Sequence, residues 1–264
     1  MNIHTASSEC SRAELELMVS SKANIIGCKN AKPIISIVQD GVLGIYKMTK
    51  ENRVLPRDVF NDICCNTNFE ISEVLRRAPN HTTYELFSLM LPEDFHYKRG
   101  DVVIRNGMLL SGPITKSDIG SSQKSIIRLL EKEYPIDVVY DFLNNVQFIA
   151  NHYLLFCGFS IGIVDCIPKN SNEINKVISE CFIEAQGYQQ TTRNPSIKEM
   201  RVTMALNKAK DVGLRLAKDS IDENNSFLDT ICSGSKGSFF NIAQITGLLG
   251  QQNITGSRVP KQLR

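Results

Sequence analysis

One lysine stands among two glycines and three serines in Ser233-Gly234-Ser235-Lys236-Gly237-Ser238. Glycine takes positive φ without a Cβ penalty and lets backbone N–H groups come close to a ligand. From Ser238 the apolar residues Phe239, Ile242, Ile245 and Leu248/Leu249 recur at helical spacing, which predicts Ser238 as an N-cap. Amides, a helix start and an ammonium group converge here, the chemistry of a phosphate or other anion site. The spacing is not that of a Walker A loop, and a helix-to-helix turn carrying a solvated lysine is the competing reading.

Other chemistry-bearing residues are more dispersed. Two-metal phosphoryl transfer needs clustered carboxylates, and the sequence offers only pairs such as Glu93-Asp94 and Asp222-Glu223 in loop-like contexts. The eight cysteines show no Cys-x-x-Cys and no histidine partner at zinc spacing, so they read as reduced, mostly core thiols with no metal site. His152 has no carboxylate or cysteine at ligand spacing and reads as packed or surface-exposed. Arg76-Arg77 reads as a solvated helix end, with a nucleic-acid contact as the alternative.

The 264-residue chain carries a net charge of +2, which argues against a free-standing nucleic-acid binder driven by a strong basic field. No apolar run approaches the roughly 20 residues of a membrane span, and the N-terminus is not a signal peptide. An intracellular protein with no membrane partner is the expectation.

Near the start of the chain, Ser11-Arg12-Ala13-Glu14 predicts a capping box. Lys32 to Gly41 is an apolar, β-rich run closed by Asp-Gly. Short helices are expected over 58–65, 72–76 and 83–90. Asn106-Gly107 between apolar runs specifies a type I′ hairpin. Helices follow over 125–132 and 136–157, separated by Pro135 and closed by Gly158. Two further helices, 171–187 and 196–220, the second reaching roughly 35 Å, predict an antiparallel hairpin. The fold class is α+β.

The loop string, continued by Gly250-Gln251-Gln252 and Gly256-Ser257-Arg258, resembles the segment just before the bridge helix in the largest, beta-prime type, subunit of multisubunit DNA-directed RNA polymerases. The head is similar to that family a second time, in Met1-Asn2-Ile3-His4, Lys32-Pro33-Ile34 and Gln39-Asp40. So are Gln147, Asn151 and Gly158-Phe159-Ser160, whereas Ile161 and Val164 stand where the family usually has Thr and Gly. The family's Asp-rich magnesium loop, expected immediately upstream, is missing, as are the bridge helix and trigger loop, so the chain looks like a downstream piece of a larger subunit.

The resemblance implies an active-site and pore-entry segment over 1–50, a pore module with its small β-hairpin over 51–165, and a funnel helical hairpin with the loop before the bridge helix over 166–264. It implies that Lys236, Gly234, Ser235, Gly237 and Ser238 face nucleoside triphosphates, that Gln244, Gln251 and Gln252 support the bridge helix, and that His4 neighbours the magnesium loop. Mg²⁺ would be held outside this chain, with no catalytic residue and no metal inside it. Implied partners are other polymerase subunits including the second-largest, DNA template and RNA in the assembled enzyme, and an elongation or cleavage factor at the funnel. A truncated, non-catalytic interaction module and a free-standing phosphate-binding enzyme are the alternative readings.

Overall fold

The computed structural model describes residues 2–222 and 224–259, except the side chains of 217–220 and Ser257. Met1, Glu223 of the Asp222-Glu223 pair, and Pro260 to Arg264 lie outside the described residues. The chain divides into two compact units, one of residues 1–159 with 232–236 and one of residues 160–231 with 237–264. Helices with a small antiparallel sheet confirm the α+β class.

The first unit runs α1 (Glu9–Leu17), α2 (Asp40–Lys50), α3 (Arg57–Cys65), α4 (Ile71–Arg77), α5 (Thr83–Ser88), β1 (Tyr97–Arg99), β2 (Val102–Arg105), β3 (Met108–Ser111), α6 (Lys116–Ile119), α7 (Ile126–Glu133) and α8 (Ile136–Cys157). Its core centres on Phe60, Phe87, Phe95 and Phe142, all fully buried. Each contributes about 1.5–3 kcal/mol by leaving water.

Helix α8 has the limits that Pro135 and Gly158 predict, with Gly158 at φ 65°. It buries Val139, Phe142, Leu143, Val146, Ile149, Ala150 and Tyr153, and the Gly158 carbonyl just beyond it accepts from Lys47 Nζ at 3.1 Å. The hairpin is equally close to expectation: Arg105 pairs with Met108 across Asn106 and Gly107, at φ 49° and 66°. Both turn residues in the left-handed region are what a type I′ turn requires. Strand β1, which the sequence does not announce, adds to the free edge of β2 through Tyr97↔Ile104.

The head of the chain differs from its sequence reading. The cap of α1 is Ser8, whose Oγ accepts from Ser11 N at 3.1 Å, so Ser11 lies inside the first turn instead of opening the helix. In the apolar run from Lys32 to Gly41 only Pro33 pairs, as an isolated bridge to Ile26, and Asp40-Gly41 starts α2 instead of turning a strand. The reason is packing. A Cβ on Gly44 would stand 2.7 Å from the Ala150 carbonyl oxygen, so that glycine lets α2 lie directly on the α8 backbone.

The second unit contains α9 (Ile163–Cys166), α10 (Ser171–Thr191), α11 (Pro195–Ser220), most of α12 (Ser226–Ser233), α13 (Phe239–Ile242), a π-type turn over Ala243–Gly247, and the paired strands β4 (Asn253–Ile254) and β5 (Ser257–Arg258). Helices α10 and α11 form the expected hairpin around Ala185, Val202 and Ala205, with Lys208 reaching Glu184 and Arg201 lying over the Tyr188 ring. Helix α10 continues to Thr191, past Gly187, which shortens the polar link. Asn194 caps α11, its side chain accepting from Ser196 N and Ile197 N. Among the described residues no helix is long and apolar enough to cross a membrane.

The cysteines are free but not mostly buried, which corrects the core-thiol reading: Cys10, Cys28, Cys65, Cys157 and Cys232 are exposed and only Cys181 is fully buried. Burial pushes the Cys64 thiol up to about 12, and raises Cys181 and Cys157 as well. Because the thiolate is the nucleophile, alkylation of the native chain at pH 8 is expected to label Cys10, Cys28, Cys65 and Cys232 at least tenfold faster than Cys64 and Cys181. Mass-spectrometric peptide mapping over time reads this out, and equal rates at Cys64 and Cys65 would contradict the packing of α3.

Candidate nucleotide-channel loop

The lysine loop follows α12 and is set by its glycines. Gly234 and Gly237 take φ of 76° and 74°, conformations that side-chain-bearing residues rarely adopt. In the first half, which belongs to the first unit, Ser233 Oγ accepts from Ser235 N at 3.2 Å and donates to Ser235 Oγ at 3.0 Å. Both serines are buried, and Lys236 is exposed.

In the second half Ser238 is the N-cap residue of α13 as predicted, and Asn241 reaches back to it, its Oδ1 accepting from Ser238 N at 2.8 Å and Ser238 Oγ at 2.9 Å. The helix it opens is one turn long before the π-type turn, so little macrodipole accumulates there. Ile242 is buried, whereas Ile245 and Leu249 are exposed, so the expected apolar face is only partly used. The amides of Ser235 and Ser238 are engaged within the loop. Its ionic group is therefore the Lys236 ammonium.

The structure gives the remaining sequence candidates their own surroundings. Gln244 lies half-buried in the π-type turn. Gln251 lines a groove of about 210 Å³ with Ile178, Phe182, Leu206, Ala209 and Leu248, and its Nε2 donates to the Gln252 carbonyl at 2.7 Å. Gln252 donates to the Leu249 carbonyl at 3.3 Å. His4 is exposed in the irregular segment before α1. His152 Nδ1 sits 2.9 Å from the Phe148 carbonyl, within α8. Gln147 Nε2 donates to Asn151 Oδ1 at 3.1 Å, one helical turn away.

Arg77 is a residue that sequence reasoning misread. It is buried, not solvated: Nη1 donates to the Leu91 carbonyl at 2.9 Å, and Nη2 to those of Ser88 at 2.7 Å and Gly107 at 3.2 Å. Arg76 is the exposed member and pairs with Glu93. The hydrogen bonds from Arg76 hold the Glu93 carboxyl below the usual carboxylate range.

Each unit also holds a polar arrangement of its own. Asp118 is buried and accepts from Tyr97 OH at 2.8 Å, Thr115 N at 2.9 Å and Thr115 Oγ1 at 2.7 Å. Burial, then the Asp118 charge, raises the Tyr97 phenol above its ordinary value. In the second unit, the Arg258 guanidinium donates two 2.7 Å hydrogen bonds to Glu199 and holds that carboxyl low, tying β5 to the first turns of α11.

Among the described residues no three His, Cys, Asp or Glu side chains converge, Asp118 is enclosed by donors, and Asp222 pairs with Lys169 at 2.8 Å.

Comparison with known proteins decides the family. Residues 24–166 match the family described as RNA polymerase Rpb1, domain 3, and residues 186–264 match RNA polymerase Rpb1, domain 4. The chain belongs to the Rpb1 family, the largest subunit of RNA polymerase. Among Rpb1 relatives, it is 37% identical over 290 residues to the "Probable DNA-directed RNA polymerase II subunit RPB1 homolog" of Invertebrate iridescent virus 6, a match covering 98% of this chain and 28% of the relative. It is 32% identical over 287 residues to each of "DNA-directed RNA polymerase II subunit RPB1-A" and "RPB1-B" of Trypanosoma brucei brucei, covering 98% of this chain and 16% of each. The chain thus spans less than a third of the length of these Rpb1 relatives.

Proposed function

We propose that this chain forms the pore and funnel walls of the nucleotide-entry channel in a DNA-directed RNA polymerase, with the Lys236 loop facing the incoming nucleoside triphosphate. Residues 51–165 supply the pore module and 166–264 the funnel hairpin and the loop before the bridge helix. The observation that carries the reading is an exposed lysine on a loop bent by two positive-φ glycines, in a chain matching two Rpb1 domains.

An ammonium beside a triphosphate lowers the cost of bringing that charge into the channel and helps to position it. Catalytic Mg²⁺ is held by carboxylates outside this chain, so the chain by itself does not make RNA. Its partners are the other polymerase subunits, with template and transcript meeting it only in the assembly. The α10–α11 hairpin is where an elongation or cleavage factor docks. Gln251 and Gln252 lie beneath the bridge helix, and His4 beside the magnesium loop.

In the assembled polymerase, Lys236→Ala is expected to slow nucleotide addition several-fold at low nucleoside triphosphate, with the loss shrinking as the triphosphate is raised. Single-turnover extension of a stalled transcript measures this. Unchanged rates at limiting nucleotide would refute the assignment of Lys236.

A further inference from the structure

Beyond the π-type turn the chain lies back along α11 and is held there at three points, all within the second unit. A Cβ on Gly213 would stand 2.8 Å from Leu248 Cγ and Cδ2, and a Cβ on Gly250, at φ 78°, would stand 2.9 Å from Lys210 Cβ. The two glycines thus let this stretch and the helix meet at close range. The third hold is polar: Arg258 Nε and Nη2 each donate to a Glu199 carboxylate oxygen at 2.7 Å. From Gly213 to Glu199 the holds are spread over roughly 21 Å of α11, at 1.5 Å per residue. Gln251 and Gln252 stand between the second hold and the third, and their side-chain amides donate to the carbonyls of Gln252 and Leu249, inside the same stretch. Arg258 is the only charged residue between 248 and 259.

The β4–β5 ribbon that separates Gln252 from Arg258 is poorly able to hold itself. It has two residue pairs, Asn253↔Arg258 and Ile254↔Ser257, and a two-stranded ribbon this short is marginal in water. Its turn puts Thr255 at φ 51° and Gly256 at φ 85°. Glycine accepts that region freely, whereas a β-branched residue there is strained. Such a ribbon keeps its place when its base is fastened from outside. Glu199 fastens Arg258, and Arg258 pairs with Asn253, the neighbour of Gln252.

We propose that Glu199 and Arg258 are positioning residues: the pair latches residues 248–258 to α11 and so fixes Gln251 and Gln252 relative to the α10–α11 hairpin. This rests on reading Gln251 and Gln252 as supports beneath the bridge helix. Releasing the latch lets the two glutamines drift from the helix they support while the Lys236 loop stays intact.

Arg258→Met, Glu199→Gln and the exchanged pair, Glu199→Arg with Arg258→Glu, test this in the assembled polymerase. Amide hydrogen exchange in residues 248–258 is expected to quicken about fivefold in each single variant, the scale of one half-exposed bidentate ion pair, and to return toward the parent rate in the exchanged pair. Exchange within α10 and α11 is expected to match the parent. The maximal rate of single-nucleotide addition should fall about three- to tenfold in the single variants, with the triphosphate concentration for half-maximal rate within about twofold of the parent. Recovery of that rate in the exchanged pair supports the latch, because a merely structural loss would not be restored by reversing the charges.

Unchanged exchange in 248–258 overturns the latch. Faster exchange in α10 and α11 as well makes the pair a general support of the fold and overturns the positioning role. Faster exchange confined to 248–258 with an unchanged maximal rate also overturns it, and leaves the channel reading standing, since Lys236→Ala decides that reading separately. A loss seen only at limiting triphosphate overturns it in favour of a direct part in nucleotide binding. Elongation insensitive to Lys236→Ala and to Arg258→Met alike overturns both.

Discussion

Arg77→Met is expected to cost about 3–5 kcal/mol of stability, as loss of one partner from a buried charged network does. The guanidinium spans α4, the segment after α5 and the hairpin turn, donating to the carbonyls of Ser88, Leu91 and Gly107. Methionine fills much of the volume and supplies no donor. The Ser88 carbonyl keeps Leu91 N as a donor at 3.1 Å, while those of Leu91 and Gly107 lose their guanidinium contact. Gly107 shows how tightly the group is fitted: a Cβ there would meet Arg77 Nη2 at 2.9 Å and the Pro92 carbonyl oxygen at 2.3 Å.

The ion pair from Arg77 to Glu73, at 2.8 Å, faces partly outward, so Glu73→Gln should cost less than about 1 kcal/mol. Urea unfolding of the two variants separates the contributions. If Glu73→Gln matched Arg77→Met, the carbonyl contacts would not be the source of the stability.

Arg77 also shows why some of this protein was legible in its sequence and some was not. Two adjacent arginines at a helix end have the same local signature whether they meet water or three distant carbonyls. The hairpin and α8 are different, because Asn106-Gly107 and the Pro135 and Gly158 brackets act through the backbone of their own neighbours. Strand β1 is only three residues long, with one buried side chain, and gains its identity from the edge of β2.

The candidate loop divides along the same line. The positive φ of Gly234 and Gly237 and the cap at Ser238 are local properties and follow from residue type. The placement of Lys116 against Gly234 is a long-range contact that no spacing announces. Nor does residue type reveal that the Ser235 and Ser238 amides are spent inside the loop. The sequence therefore points to Lys236, whereas what surrounds it is set by the fold.

The seam between α2 and α8 sets two physical effects against each other, and Gly44 shows which prevails. On helix propensity alone, Gly44→Ala should stabilise α2 by about 1 kcal/mol. The new methyl would instead stand 2.7 Å from the Ala150 carbonyl oxygen and 3.0 Å from Ala150 Cα and Cβ. Backbone cannot rotate away as a side chain can, so the helices must separate, and overpacking of this kind costs about 1–3 kcal/mol. The expected result is net destabilisation by Gly44→Ala, and a loss of about 3 kcal/mol for Gly44→Leu, which must pry α2 from α8 along Val146, Ile149 and Ala150. Gly41→Ala is the control, because its nearest neighbours are the side-chain atoms Ile37 Cγ2 at 2.8 Å and Gln147 Oε1 at 2.9 Å, which can move. Thermal and urea unfolding of the three variants decide the matter. A more stable Gly44→Ala would mean that α2 and α8 are not held at backbone contact, and that this glycine is present for some reason other than their approach.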